Sequence, residues 1–90
     1  MQRADAERLR ANRVDIVADL DVHRVLDQLI AKSIIVAEDY ELIRSKPTSQ
    51  QRARLLLDIL PMRGPNAFRI FVEALREARY DWLADRLCSQ

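Results

Sequence analysis

Leu55-Leu56-Leu57-Asp58-Ile59-Leu60-Pro61-Met62-Arg63-Gly64-Pro65-Asn66-Ala67-Phe68 is the stretch on which the reading of the fold turns. The leucine-rich run has to stop at Pro61, because a proline ring removes a backbone donor and clashes with the preceding turn. Gly64 is the only glycine in 90 residues, and it permits a backbone conformation that other residues avoid. Pro65 suits the first position of a new helix. The stretch therefore reads as helix, sharp turn, helix. The upstream helix also has a written start. Thr48-Ser49-Gln50-Gln51 matches a capping box, with Thr48 at the N-cap and Gln51 at N3. Pro47 keeps an earlier helix from running into it. Ala53, Leu56, Leu57 and Leu60 make its inner stripe. Ala67, Phe68, Phe71, Val72, Leu75 and Ala78 make that of the helix after the turn.

The same periodicity continues in both directions. A first segment from Ala4 to Leu20 carries Leu9, Ile16, Val17 and Leu20 at near-helical spacing. A second, Val22 to Lys32, repeats Val22, Val25, Leu26, Leu29 and Ile30 on one face, with Asp21 as its N-cap. A third, Glu38 to Ser45, has acids in its first turn and turns Leu42 and Ile43 inward. Between them, Ser33-Ile34-Ile35-Val36-Ala37 has strand propensity but reads as an apolar connector pinned to the core. The last segment, Tyr80 to Cys88, sets Leu83 and Leu87 one helical turn apart, and Tyr80 and Trp82 are assigned to the core. The expected architecture is all-α, a six-helix antiparallel bundle formed by residues 1–90 as one domain.

Composition narrows the function classes. Fifteen basic and fourteen acidic residues leave a net charge of +1, which weighs against the broad basic face that general nucleic-acid binding needs. A helix-turn-helix reading around Gly64 would have only Arg69, Arg76 and Arg79 on its second helix. No apolar run approaches the ~18 residues of a membrane span, and the start Met1-Gln2-Arg3-Ala4-Asp5 lacks an apolar signal core. With one cysteine, no intramolecular disulfide can form. Cytoplasm is the expected compartment. The only histidine is His23 and the only cysteine is Cys88, and nothing in the sequence orients one toward the other as nucleophilic catalysis requires. Metal-ligand spacing and a phosphate-cradling glycine loop are both missing. Neither a catalytic site, a metal nor a cofactor is expected.

The residues around the turn resemble a known family. Arg63-Gly64-Pro65-Asn66-Ala67-Phe68 after a leucine-rich helix is similar to the junction of the fourth and fifth helices of caspase recruitment domains, in the death-fold superfamily. Phe71-Val72-Glu73-Ala74-Leu75-Arg76-Glu77 resembles that family's fifth helix, and Tyr80-Asp81-Trp82-Leu83-Ala84-Asp85-Arg86-Leu87 its sixth. Upstream, Asn12-Arg13-Val14 and Val25-Leu26-Asp27-Gln28-Leu29-Ile30 resemble the first and second. The likeness is greatest to the prodomains of initiator caspases and to their adaptors. The caspase nucleophile motif Gln-Ala-Cys-x-Gly does not occur in the chain. Met1 at the start suggests an N-terminal position in a longer parent.

The resemblance implies a homotypic interaction module that recruits an initiator caspase or its adaptor into an activating assembly in apoptotic signalling. The alternative is a filament-forming domain of an inflammatory or innate-immune adaptor or sensor. Its partner would be another caspase recruitment domain, in a caspase, an adaptor or an apoptosome-type scaffold, or further copies of itself in a homo-oligomer or helical filament. Neither nucleic acid nor membrane is expected as a partner. The resemblance further implies a basic surface on helices one and four that meets an acidic surface on helices two and three. The best-matched basic positions are Arg13 and Arg54, followed by Arg10 and Arg52; the acidic ones are Asp27, Glu38, Asp39 and Glu41. On a straight helix, however, Arg13 falls inside the stripe of Leu9, Ile16 and Leu20. Either the first helix bends near Asn12, as that family's often does, or Arg13 snorkels past apolar neighbours. Arg52 and Arg54 lie about 200° apart on a helical wheel, so they cannot share one patch.

Overall fold

The computed structural model describes residues 1–89. It contains α1 (Arg3–Ala11), α2 (Arg13–Asp19), α3 (His23–Ala31), α4 (Ala37–Arg44), α5 (Ser49–Ile59), a 3₁₀ turn (Leu60–Met62), α6 (Ala67–Glu77) and α7 (Asp81–Cys88). The described residues contain no strand. The described residues are all-α, with seven α-helices where the sequence had suggested six segments. The extra one arises at Asn12, whose backbone (φ −108°, ψ 11°) leaves helical geometry and divides the first segment into α1 and α2.

The apolar stripes meet in a continuous core running from Leu9 to Leu87. The α2 helix packs on α5, α5 on α4, α4 on α3, α3 on α6 and α6 on α7. Phe71, Leu75, Leu26, Leu29, Leu56 and Leu83 are fully enclosed. Tyr80 is buried as expected, and its hydroxyl accepts the backbone N–H of Asp21 at 3.1 Å. The guanidinium of Arg24 lies 4.8 Å from the Tyr80 ring centre and donates to the Ala78 carbonyl at 2.6 Å. Tyr80 thus joins the start of α3 to the start of α7.

Helix ends follow the local chemistry. The Thr48 hydroxyl oxygen accepts the Gln51 N–H at 3.1 Å, the N-cap bond foreseen from the sequence. The N-cap of α3 is Val22 and not Asp21, although an Asp21 side-chain oxygen accepts the His23 N–H at 3.1 Å from just outside the helix. The α3 and α6 helices end alike. Ser33 and Arg79 adopt left-handed φ values of 61° and 70°. Ile34 N–H then reaches back to the Leu29 carbonyl, and Tyr80 N–H to that of Leu75. Each pair closes the six-residue loop of a Schellman motif, with a non-glycine residue at the left-handed position. The connector after Ser33 buries Ile34 and Ile35, as expected of a pinned apolar loop.

Three expectations are corrected. The helix after Gly64 begins at Ala67 and not at Pro65. Gly64 at φ +88° makes a turn whose carbonyl accepts the Ala67 N–H, so Pro65 belongs to the turn. Leu42 is 49% exposed. The inner row of α4 is Asp39 and Ile43, one turn apart, and Leu42 lies about 100° round the helix from Ile43 on the open side. Trp82 is 45% exposed. Leu83, Ala84 and Leu87 fill the inner face of α7, and the Trp82 indole N–H instead donates to Asp19 of α2 at 3.0 Å.

These turns predict opposite outcomes for glycine. A Cβ on Gly64 would meet nothing within 4 Å, so only backbone strain opposes Gly64→Ala, with an expected loss of about 1 kcal/mol. Ser33→Gly and Arg79→Gly relieve the same strain and are each expected to raise stability by about 0.5–1 kcal/mol. Urea unfolding monitored by circular dichroism reads all three.

Candidate partner-binding surfaces

Arg13 combines both readings that the sequence left open. The break at Asn12 carries it to the edge of the apolar stripe, where it lines a cleft with Leu9 and Leu57. Its guanidinium then reaches Asp58 of α5 at 3.1 Å and the Arg54 carbonyl at 3.4 Å. Arg10 lines the same cleft, beside Ala6 and Pro61, and pairs with Glu7 on its own helix. Arg54 is exposed across a second groove of about 370 Å³, which Arg13, Val14, Val17, Ala18 and Gln50 also line. Three of the four basic candidates, Arg10, Arg13 and Arg54, therefore run along one side of the molecule over α1, α2 and α5. Arg52 points elsewhere, as the helical wheel requires. It donates to the Lys46 carbonyl at 2.8 Å, and its Nε is buried without a partner.

The acidic candidates separate too. Glu38 and Glu41 are exposed on α4 and form no ion pair among the described residues. They flank Leu42 on an open apolar face with Ala37 and Ser45. Asp27 is exposed on α3 and lies 3.4 Å from the Tyr40 hydroxyl of α4. Asp39 differs, being only 8% exposed. Its carboxylate accepts two hydrogen bonds from Arg63, at 2.8 and 3.2 Å, and one from the Val36 N–H at 3.2 Å. Asp39 thus caps α4 and ties it to the turn after α5, with its oxygens turned into the fold.

Sequence reasoning missed the partners of these residues. Asp58 stands one turn after Arg54 and was visible as an acid on that helix, but its pairing with Arg13 spans two helices. Arg63 and Asp39 are 24 positions apart, with no periodic signal to link them. On α7, Arg86 holds the break in place: it reaches Asp15 at 3.1 Å and the Asn12 side-chain oxygen at 3.4 Å. Together with the bond between Trp82 and Asp19, this sets one polar face of α2 against α7, while Arg13, Val14 and Val17 turn toward the α5 side. Also near α7, the hydrogen bond to Asp85 holds the Arg76 guanidinium above its ordinary pKa.

His23 is exposed, and no group of His, Cys, Asp and Glu able to hold a metal occurs among the described residues. No described helix is long and apolar enough to cross a membrane. What the surface offers is charge of both signs without an ion pair among the described residues, Arg54 on α5 and Glu38 and Glu41 on α4, the raw material of a docking contact.

Asp39→Ala is expected to leave Arg63 without its bidentate partner and α4 without its cap, lowering unfolding free energy by about 1–3 kcal/mol. Glu41→Ala, on the exposed face of the same helix, is expected to change it by less than about 0.5 kcal/mol. Thermal or denaturant melts of the two variants give the comparison.

Comparison with known proteins adds the family. The model of the caspase recruitment domain, CARD, matches residues 6–90. Caspase-2 of Gallus gallus is 39% identical over 87 residues, which cover 97% of this chain and 20% of that protein. Receptor-interacting serine/threonine-protein kinase 2 of Bos taurus is 35% identical over 72 residues, covering 77% of this chain and 13% of the kinase. The CARD domain-containing protein E10 of equine herpesvirus 2 (strain 86/87) is 38% identical over 86 residues, covering 92% of this chain and 27% of its own length. The chain thus spans well under a third of the length of these relatives.

Proposed function

The chain belongs to the caspase recruitment domain family, and from that premise we propose that it is a homotypic interaction module. It docks on another caspase recruitment domain and so draws an initiator caspase, or the adaptor of one, into an activating assembly in apoptotic signalling. We read residues 1–90 as one such module. In this reading α1 and α2 are two halves of one broken helix, so that the seven helices correspond to the six of the death fold. The chemistry belongs to a protease domain elsewhere; the module's contribution is proximity, which converts an encounter between catalytic domains into an effectively intramolecular event.

The observation that carries this reading is the family match across nearly the whole chain, taken with charged surfaces that have no internal use. Arg54 on one side, and Glu38 and Glu41 on the other, make no ion pair among the described residues. Such charges steer encounter and reject like-charged partners. We assign the basic docking surface to Arg10, Arg13 and Arg54, and the acidic one to Asp27, Glu38 and Glu41. Arg52 and Asp39 fall outside them, because Arg52 points away from the Arg13–Arg54 side onto the Lys46 carbonyl and Asp39 is buried against Arg63.

A second reading follows from the presence of both signs on one chain. A basic surface on α2 and α5 and an acidic one on α3 and α4 are different patches, so contact between two copies is heterologous and leaves a free patch at each end. Repetition builds rings or helical filaments, and the array raises a modest pairwise affinity through multivalency. The module then acts as the growing unit of an adaptor or sensor.

The test pairs the purified chain with a panel of isolated caspase recruitment domains in calorimetry over a salt series. At least one is expected to bind in a salt-sensitive manner. Arg54→Glu is expected to weaken that binding tenfold or more at unchanged helicity, because the reversal sets like charges against each other across the contact. Binding that ignores both salt and the reversal removes the charged-surface mechanism, and a panel without any binder removes the homotypic reading.

A further inference from the structure

The charged rims enclose apolar surface on both sides of the proposed contact. On the basic side, Val14 is 81% exposed, the largest exposure among the big apolar side chains. It lies with Val17 and Ala18 in the groove of about 370 Å³ that Arg13, Gln50 and Arg54 border. The spacing explains the shape. Arg13, Val14, Val17 and Ala18 fall on one side of α2, while Gln50 and Arg54 are one turn apart on α5 and form the opposite wall. On the acidic side, Leu42 is half-exposed on α4 with Glu38 one turn before it and Glu41 beside it. One surface is an apolar groove rimmed by cations; the other is a wide, shallow hollow of about 760 Å³ where half-exposed Leu42 lies among Ala37, Glu38, Asp39, Glu41 and Ser45.

We propose that Leu42 of one copy seats in the Val14–Val17 groove of the next, giving the contact between copies an apolar centre inside its charged rim. The inference rests on the docking surfaces assigned above and adds what they lack. Rim charges in water supply rate and register but little affinity. Interfaces draw most of their affinity from a small apolar centre from which the rim excludes water. The charge pattern selects the occupant: a partner for this groove has to present an apolar side chain between acids, and the α4 face does so with two carboxylates that have no internal partner. The energetic argument agrees, because Val14 and Leu42 contribute little to the core and each leaves apolar surface in water until it is covered.

The experiment is a double-mutant cycle on self-association, measured by sedimentation equilibrium of the full chain at several salt concentrations. Leu42→Gln and Val14→Gln change neither charge nor core. Each is expected to weaken association about tenfold while the salt dependence keeps its slope. The double variant is expected to be little weaker than either single one, because the two side chains lose the same contact. Effects that add in full, or no effect of either change, overturn the inference. If Arg54→Glu abolishes association in the same assay while Leu42→Gln leaves it intact, the charged surfaces stand and only the apolar seat falls. If Arg54→Glu is also without effect, the assigned surfaces fall with it. A chain that remains monomeric at high concentration but binds another caspase recruitment domain rules out a second copy as the occupant and leaves the recruitment reading in place.

Discussion

A guanidinium cannot be withdrawn from water without an acceptor, and the N-terminal part of this molecule is arranged around that constraint. Continued as a straight helix, α1 would carry Arg13 into the stripe of Leu9, Ile16 and Leu20. The break at Asn12 re-phases the helix enough for Ile16 and Leu20 to stay buried while Arg13 moves to the edge. The break needs its own partners. The Asn12 side chain donates to the Arg8 carbonyl at 2.8 Å, and Arg86 of the last helix approaches its oxygen. Chain ends that are distant in sequence therefore meet at the residue that decides where the basic surface lies. From there Arg13 reaches α5, and Arg54 extends the line of charge.

The apolar periodicity and the punctuation were legible because both are local. A stripe at helical spacing requires only that one face of a helix meet a core. Every inward position expected on the helix after Gly64, from Ala67 to Ala78, is buried. Pro61 and Thr48 act through neighbours within one turn. The same local logic failed at Pro65, where proline fits a turn as readily as a first helical position. It failed again at the left-handed ends. Serine and arginine at positions 33 and 79 carry no sign of φ near 60–70°, since the geometry is imposed by the hydrophobic residues that follow, Ile34 and Tyr80, as they are drawn into the core.

The misplaced residues, Leu42 and Trp82, each stand next to another apolar residue in a short helix. Periodicity cannot tell which member of an adjacent pair faces inward when a helix has barely two turns, because few other positions fix the phase. Tertiary partners decided it. Asp39 takes the inner row of α4 because Arg63 waits there, and α2 offers Asp19 to the Trp82 indole. For the candidate surfaces, the sequence supplied the charges but could not distinguish those committed internally from those left free. That distinction depends on contacts between residues 24 and more positions apart, as for Asp39 and Arg13.

This separation of committed from free charge has a mechanical meaning. Arg13 and Asp39 lie on the helices that carry the two proposed surfaces, and both are anchored: one to Asp58, the other to Arg63. Anchoring lowers their value for a partner but fixes the helices that bear the free residues. Arg54 stands beside the anchored Arg13, and Glu38 and Glu41 bracket Asp39 in sequence. Free charges on a held backbone lose less entropy on docking than charges on a mobile one, since only side-chain rotamers remain to be ordered. The arrangement suits an interaction module whose contacts are fast and reversible. The fold uses Arg13 and Asp39 for shape, and leaves Arg54, Glu38 and Glu41 without an ion pair among the described residues.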